Sequence, residues 1–159
     1  MDSVKDPQFG VATREQIQGL TGLEYLQGMM AGRFPFPPIG KILQFRLLEI
    51  GQGTALFTGV PVFDFYNPLG SVHGGYAATL LDSCMGCAIH TTLPAGVGYT
   101  TLEIKVNFVR ALTTETGPIR AEGKVLTAGK RVATAEGRVL DANGTLYAHG
   151  TTTCLIFPV

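Results

Sequence analysis

The chain is poor in charge. Only 15% of its 159 residues are Asp, Glu, Lys or Arg, and the basic and acidic side chains cancel to a formal net charge of +0. Binding to nucleic acid needs a concentrated basic footprint against the phosphates, and neither this balance nor a pI near 6.8 supplies one. Long apolar runs are missing as well: none approaches the roughly 18 residues of a membrane-spanning helix. The opening Met1-Asp2-Ser3-Val4-Lys5-Asp6-Pro7-Gln8 lacks the apolar core of a secretory leader, so the expectation is a cytoplasmic protein away from membranes. Cysteine is scarce, at three residues, and implies no disulfide framework. Two of the three form Cys84-Met85-Gly86-Cys87, with His90 three residues later. A thiol redox pair of this spacing sits at a helix start, whereas these lie well inside a helical segment and read as small core residues. A zinc site would need Cys154 or His149 brought in by an accident of folding, so no metal ligands are assigned.

What is present in place of charge is apolar surface. A mean hydropathy of +0.24 is high for a small soluble monomer and predicts that some of that surface is hidden by self-association. The length suits one domain over residues 1–159, with no internal repeat, linker or low-complexity tail.

Residues 14–33 carry Ile17, Leu20, Leu23, Leu26 and Met30 at mostly three- and four-residue intervals, which predicts an amphipathic helix with soft spots at Gly19 and Gly22. Phe34-Pro35-Phe36-Pro37-Pro38 stops it. Residues 42–50 and 55–65, separated by Gly51-Gln52-Gly53, read as a β-hairpin. A second helix is predicted over 74–92, with Ala77, Leu80, Leu81, Cys84, Cys87 and Ala88 on one apolar face; Leu93-Pro94-Ala95-Gly96 ends it. Strand-like segments follow at 100–109, 119–126, 132–140 and 145–157. One long helix followed by a meander of antiparallel strands implies an α+β layer, with a strongly curved sheet wrapped on the apolar face of that helix.

The chemistry concentrates where Asn67-Pro68-Leu69-Gly70-Ser71-Val72-His73-Gly74-Gly75 runs into the long helix. Proline and glycine mark an irregular loop, and the first turn of the helix leaves N–H groups without internal partners. Such an end attracts negative charge, including an oxyanion that develops during attack on a carbonyl. Asp82 lies in the middle of the same helix.

This loop, the Asp82 nine residues after His73, the strand entry Tyr99-Thr100-Thr101-Leu102-Glu103 and the later Gly129-Lys130-Arg131 together resemble the hotdog-fold acyl-CoA thioesterases of the phenylacetate-degradation (PaaI-like) type, over residues 22–157. The resemblance implies a hotdog core at residues 39–157 preceded by an N-terminal extension, 1–33, that carries the extra helix. It also implies an acyl- or aryl-CoA substrate with no cofactor beyond the coenzyme A of that substrate, and homodimers paired again into homotetramers. Spacing gives a separate reason for a dimer. Gly74 and Asp82 are eight residues apart, about 12 Å along one helix at its standard rise, so one subunit cannot place both on one carbonyl. Two antiparallel copies of the helix can.

In that arrangement the Gly74 N–H polarises the thioester carbonyl, and Asp82 from the partner acts as nucleophile or as general base towards water. Asn67 holds the loop or helps to position thioester or water. Thr101, with Thr100 as the alternative, assists water or the carboxylate. His73 is expected to shape the loop rather than move a proton. Gly75, Arg110, Lys130 and Arg131 are candidate contacts to the coenzyme A portion, the last two being equally readable as ordinary turn charges. Two other classes compete: a non-catalytic acyl-CoA-binding module, and a hotdog dehydratase or hydratase using His73 and Asp82 for proton transfer at the acyl chain.

Overall fold

A computed structural model describes residues 8–159; the chain start invoked above, up to Pro7, and the first part of the N-terminal extension lie outside the described residues. Its organising element is the helix at Gly74–His90. Tyr76, Ala77, Leu80, Leu81, Cys84, Met85, Ala88 and Ile89 recur at helical spacing, and all are buried. The helix ends where Thr91 and Thr92 turn their hydroxyls back onto the carbonyls of Ala88 and Ile89, at 2.6 and 2.7 Å. These bonds satisfy acceptors that a continuing helix would have used, and Pro94 blocks continuation.

Around it runs a six-stranded sheet, β1 Phe45–Gly51, β2 Thr54–Gly59, β3 Val97–Phe108, β4 Ile119–Ala128, β5 Val132–Asp141 and β6 Leu146–Pro158, in the order β1-β2-β4-β5-β6-β3 with every pairing antiparallel. This is the hotdog fold. The predicted meander is corrected in one respect. The first strand after the long helix does not pair with the next one; β3 crosses to the far edge beside β6, and β4 takes its place beside β2. Alternation along a strand shows which face is buried but not which strand will be its neighbour.

Helices precede the sheet at α1 Arg14–Ile17, α2 Gly22–Met30 and α3 Pro38–Ile42, so the long helix is α4. The single helix expected over 14–33 is therefore two. Gly19 adopts a left-handed backbone, φ 84°, and Thr21 starts a new helix with a reciprocal cap to Glu24. Pro38 opens α3, which takes in Ile42, where the first strand was expected to begin, so β1 starts only at Phe45; β2 stops at Gly59, short of Pro61 and a 3-10 turn at Phe63–Phe65.

The helix sits close on the sheet because glycines lie beneath it. Gly123, Gly137 and Gly150 form a cross-strand row on β4, β5 and β6. A side chain at Gly123 would strike the backbone carbonyl of Cys84, and one at Gly137 would come within 3.0 Å of Leu81 and Met85. Among the described residues no helix is long and apolar enough to cross a membrane.

Candidate active site

The loop before α4 is held by its own polar groups. The Asn67 side-chain oxygen accepts from the N–H groups of Leu69 at 2.9 Å and Ser71 at 3.3 Å, and its amide nitrogen donates to the Ser71 hydroxyl at 3.3 Å. The Asn67 amide is thus spent on the turn. Gly70 reverses the chain at φ 85°. The His73 N–H donates to the carbonyl of Phe65, and its Nδ1 accepts from the Gly75 N–H at 2.9 Å, making His73 the N-cap of α4. An accepting Nδ1 leaves the proton of the neutral ring on Nε2. The Tyr76 N–H donates to the His73 carbonyl. Among the described residues the Gly74 N–H finds no acceptor, so it is the open donor of the first turn.

Phe108 of β3 closes over this end: a Cβ at Gly74 would lie 2.9 Å from the ring. Asn67, His73, Gly74, Phe108 and Arg110 border a cavity of about 460 Å³. Arg110 is brought there because its N–H donates to the Tyr147 carbonyl just past the end of β3. Phe108 was not anticipated, and nothing local in the sequence marks it.

Asp82 lies elsewhere on the helix. Its neighbours Leu80, Leu81, Cys84 and Met85 point into the core, but Asp82 itself is exposed in the single chain. The Thr101 hydroxyl donates to its carboxylate Oδ1 at 2.9 Å. Thr101 faces the helix from β3, opposite Cys154, just before a bulge that inserts Leu102. Thr100, one residue earlier, is exposed and points to the other face.

The same register locates the cationic candidates. Thr101, Cys154 and Ala133 form one cross-strand row, and Lys130 and Arg131 lie exposed in the turn just beyond it. Arg110 lies past Phe108 at the opposite end of β3. One chain therefore gathers Asn67, His73, Gly74, Gly75 and Arg110 at the start of α4, and Asp82, Thr101, Lys130 and Arg131 further along it. It does not bring the two groups together.

The thiols are unsuited to nucleophilic roles. All three cysteines are free. Burial pushes the Cys84 thiol well up and that of Cys87 up to about 12, with the Asp82 charge adding to both. Among the described residues no three His, Cys, Asp or Glu side chains cluster as metal ligands.

The family model of the thioesterase superfamily matches residues 69–148, half of the chain. The chain belongs to the thioesterase superfamily. The matched stretch contains His73, Gly74, Asp82, Thr101, Arg110, Lys130 and Arg131 and begins just after Asn67. A Halobacterium salinarum protein whose name proposes an esterase is 37% identical over 84 residues, 52% of this chain and 54% of its own length, so the match spans about half of that relative. The crystal structure of a phenylacetic acid degradation-related protein of Ralstonia eutropha JMP134, whose name proposes a thioesterase, is 26% identical; it covers 82% of this chain and 98% of its own, with a TM-score of 0.75. A Streptococcus mutans protein solved with acetyl-CoA shares the fold at 23% identity and a TM-score of 0.65, covering 72% of this chain and 89% of its own.

Proposed function

We propose that this protein is an acyl-CoA thioesterase that hydrolyses the thioester of an acyl- or aryl-CoA at a site shared between two subunits. One observation carries the reading: the open Gly74 N–H and the Thr101-bound carboxylate of Asp82 lie on one helix, about 12 Å apart by its rise, too far to meet on one carbonyl. Pairing two copies of α4 antiparallel brings each Gly74 to the partner's Asp82. The uncovered face of the helix suits that contact. Gly75, Ala78, Thr79, Asp82 and Ser83 recur there at three- and four-residue spacing, and small side chains allow a close interaxial approach. The long outer edge of β3, with Leu102 and Phe108 exposed, is the surface on which a second sheet would pair. The same pairing would carry the partner's Lys130 and Arg131 towards the Arg110 end, where coenzyme A phosphates would be met. The resemblance stated above adds a further pairing into tetramers.

Chemistry follows from the two halves. The thioester oxygen accepts from the Gly74 N–H, and the positive end of α4 stabilises the charge that develops on it. His73 and Asn67 hold the loop that presents this donor, while Thr101 fixes the partner's carboxylate. Acting as general base, Asp82 takes a proton from water as the oxygen attacks the carbonyl carbon; the C–S bond breaks and the thiolate of coenzyme A takes the proton, leaving acid and thiol. Acting as nucleophile, its oxygen attacks the carbonyl carbon and the C–S bond breaks, giving an acyl-carboxylate anhydride and the thiolate of coenzyme A; water then opens the anhydride, regenerating the carboxylate and supplying the thiolate's proton. Three free thiols accord with a reducing, cytoplasmic setting.

The test is Asp82→Asn, assayed for thiol release and acyl-CoA binding alongside sedimentation. Turnover falls by at least about 10²-fold while binding and the dimer persist. Near-normal turnover in a folded dimer removes Asp82 from the chemistry, and an active monomer defeats the shared site. Wild-type protein that binds acyl-CoA without releasing thiol is a binding module.

A further inference from the structure

A cavity lies at each end of α4. The one beneath the N-terminal helices, about 530 Å³ in volume and roofed by Ile17, Leu20 and Tyr25, is shut off from the Asp82 carboxylate by the Tyr99 ring and hydroxyl resting on Gly86. The one at the helix start, of about 460 Å³, is bordered by Gly74 itself, so whatever it holds lies beside the donor to the reacting carbonyl. Tyr147 lines this cavity from the start of β6, and the hydrolysis makes no use of its side chain.

An irregularity in the sheet places Tyr147 there. Along the ladder between β5 and β6, Val139 pairs with Ala148 and Leu140 with Leu146, so Tyr147 is an extra residue bulged out of the register. A bulge re-aims the side chain it carries, and here the ring is turned in, 9% exposed, next to buried Ala148. The Tyr147 carbonyl accepts from the N–H groups of Val109 and Arg110 at 2.8 and 3.1 Å, which fixes the bulge against the end of β3. Its hydroxyl is unspent. Among the described residues the Tyr66 hydroxyl, bonded to Thr114, is the only tyrosine hydroxyl with a protein partner, and the Tyr76 hydroxyl is the only buried side-chain polar atom left without one. The Tyr147 hydroxyl is therefore neither satisfied by the protein nor sealed from water, and with its ring buried it opens onto the cavity.

The other polar groups around the cavity have tasks already. Asn67 and Ser71 hold each other, His73 caps α4 through Nδ1, the Gly74 N–H faces the thioester oxygen, and Arg110 stands exposed at the outer end. Ala77, Leu112 and Ala148 are among the apolar walls. Between a thioester carbonyl at Gly74 and phosphates at Arg110, coenzyme A has only its pantetheine arm, and that arm carries amides. An amide moved from water into an apolar cavity loses free energy unless it finds a hydrogen-bond partner.

Resting on the thioesterase reading, we propose that the Tyr147 hydroxyl hydrogen-bonds an amide of the pantetheine arm of bound acyl-CoA, so that thioesters carried on this arm are preferred to those of simple thiols. A tyrosine hydroxyl can donate to the amide carbonyl or accept from its N–H, and the bulge holds it in one place. The selection falls on the carrier and not on the acyl group. Tyr147 is a binding residue for the arm and takes no proton in the reaction.

The experiment compares wild type with Tyr147→Phe, which keeps the buried ring and removes only the hydroxyl. Thiol release is measured from the acetyl, octanoyl and phenylacetyl thioesters of coenzyme A and from the same acyl thioesters of ethanethiol, which have no amide. On the same proteins, calorimetry measures binding of coenzyme A and of adenosine 3′,5′-bisphosphate, which has the nucleotide without the arm. In Tyr147→Phe the KM for acyl-CoA rises by about three- to tenfold, the worth of one neutral hydrogen bond, while kcat changes little. The kcat/KM for the ethanethiol thioesters stays as in wild type. Coenzyme A binding weakens relative to the bisphosphate by a similar factor. An equal loss on both thioester series places the hydroxyl in the chemistry or in the packing and overturns the proposal, as does an unchanged KM for acyl-CoA in a variant with an intact thermal transition. Wild-type protein that releases thiol from none of the thioesters defeats the thioesterase reading instead; the ratio of coenzyme A to bisphosphate affinity then decides for or against the contact by itself.

Discussion

The two ends of α4 are made of different materials. At its start the reactive feature is backbone: an open N–H at Gly74, presented by a loop whose side chains are occupied with one another and with the helix cap. Further along, the features are side chains: the Asp82 carboxylate, exposed and held by the Thr101 hydroxyl from β3. A backbone donor is precise because the helix that carries it is rigid, but it cannot distinguish one carbonyl from another.

That contrast can be broken by substitution. The largest loss belongs to Asp82→Asn, which leaves the helix start untouched; a larger loss at the start than at Asp82 would reverse the assignment of chemistry. Gly74→Ala comes next. Its new methyl group meets the Phe108 ring at 2.9 Å and shifts the donor from its position, so kcat falls by about tenfold or more, short of the full loss expected when such a donor is removed. Phe108→Ala in the same chain makes room for that methyl group, and recovery of kcat in the double variant separates a shifted donor from a misfolded loop. No recovery, with an intact thermal transition, would mean that Gly74 acts in some other way.

Thr101→Ala removes the one hydrogen bond to the Asp82 carboxylate among the described residues, which water can partly replace, so the expected loss is a few-fold in kcat and well below that of Asp82→Asn. Equal losses for the two would make Thr101 part of the reaction rather than a support for the carboxylate. The smallest effect is expected from chelators. With the polar groups of both ends accounted for by carboxylate, hydroxyl and backbone N–H, thiol release stays unchanged after treatment with a chelator; loss restored by zinc would require a different mechanism.

Much of the fold is legible in the sequence. The expected helix over 74–92 compares with Gly74–His90, and its buried face differs from expectation chiefly by the added Tyr76, Met85 and Ile89 and by a partly exposed Cys87. The sequence offers Thr101 or Thr100 as the hydroxyl beside Asp82, and in the structure it is Thr101 that reaches the carboxylate. Boundaries shift where a local device outweighs periodicity: Gly19 and the Thr21 cap divide one helix into two, and the helix that Pro38 opens takes in Ile42, the expected strand start.

Taken alone, the sequence determined those features that depend on neighbours a few residues apart: the periods of helix and strand, the loop that Asn67 ties to Ser71, and the cap that His73 places on Gly75. Only the tertiary structure decided the crossing of β3 to the far edge, the meeting of Thr101 with Asp82, the glycine row beneath α4 and the cavity roofed by residues near the chain start. Each of these joins segments well separated along the chain. Strand pairing and layer packing choose their partners by the total fit of surfaces, so a local pattern constrains which face is buried without naming what will cover it.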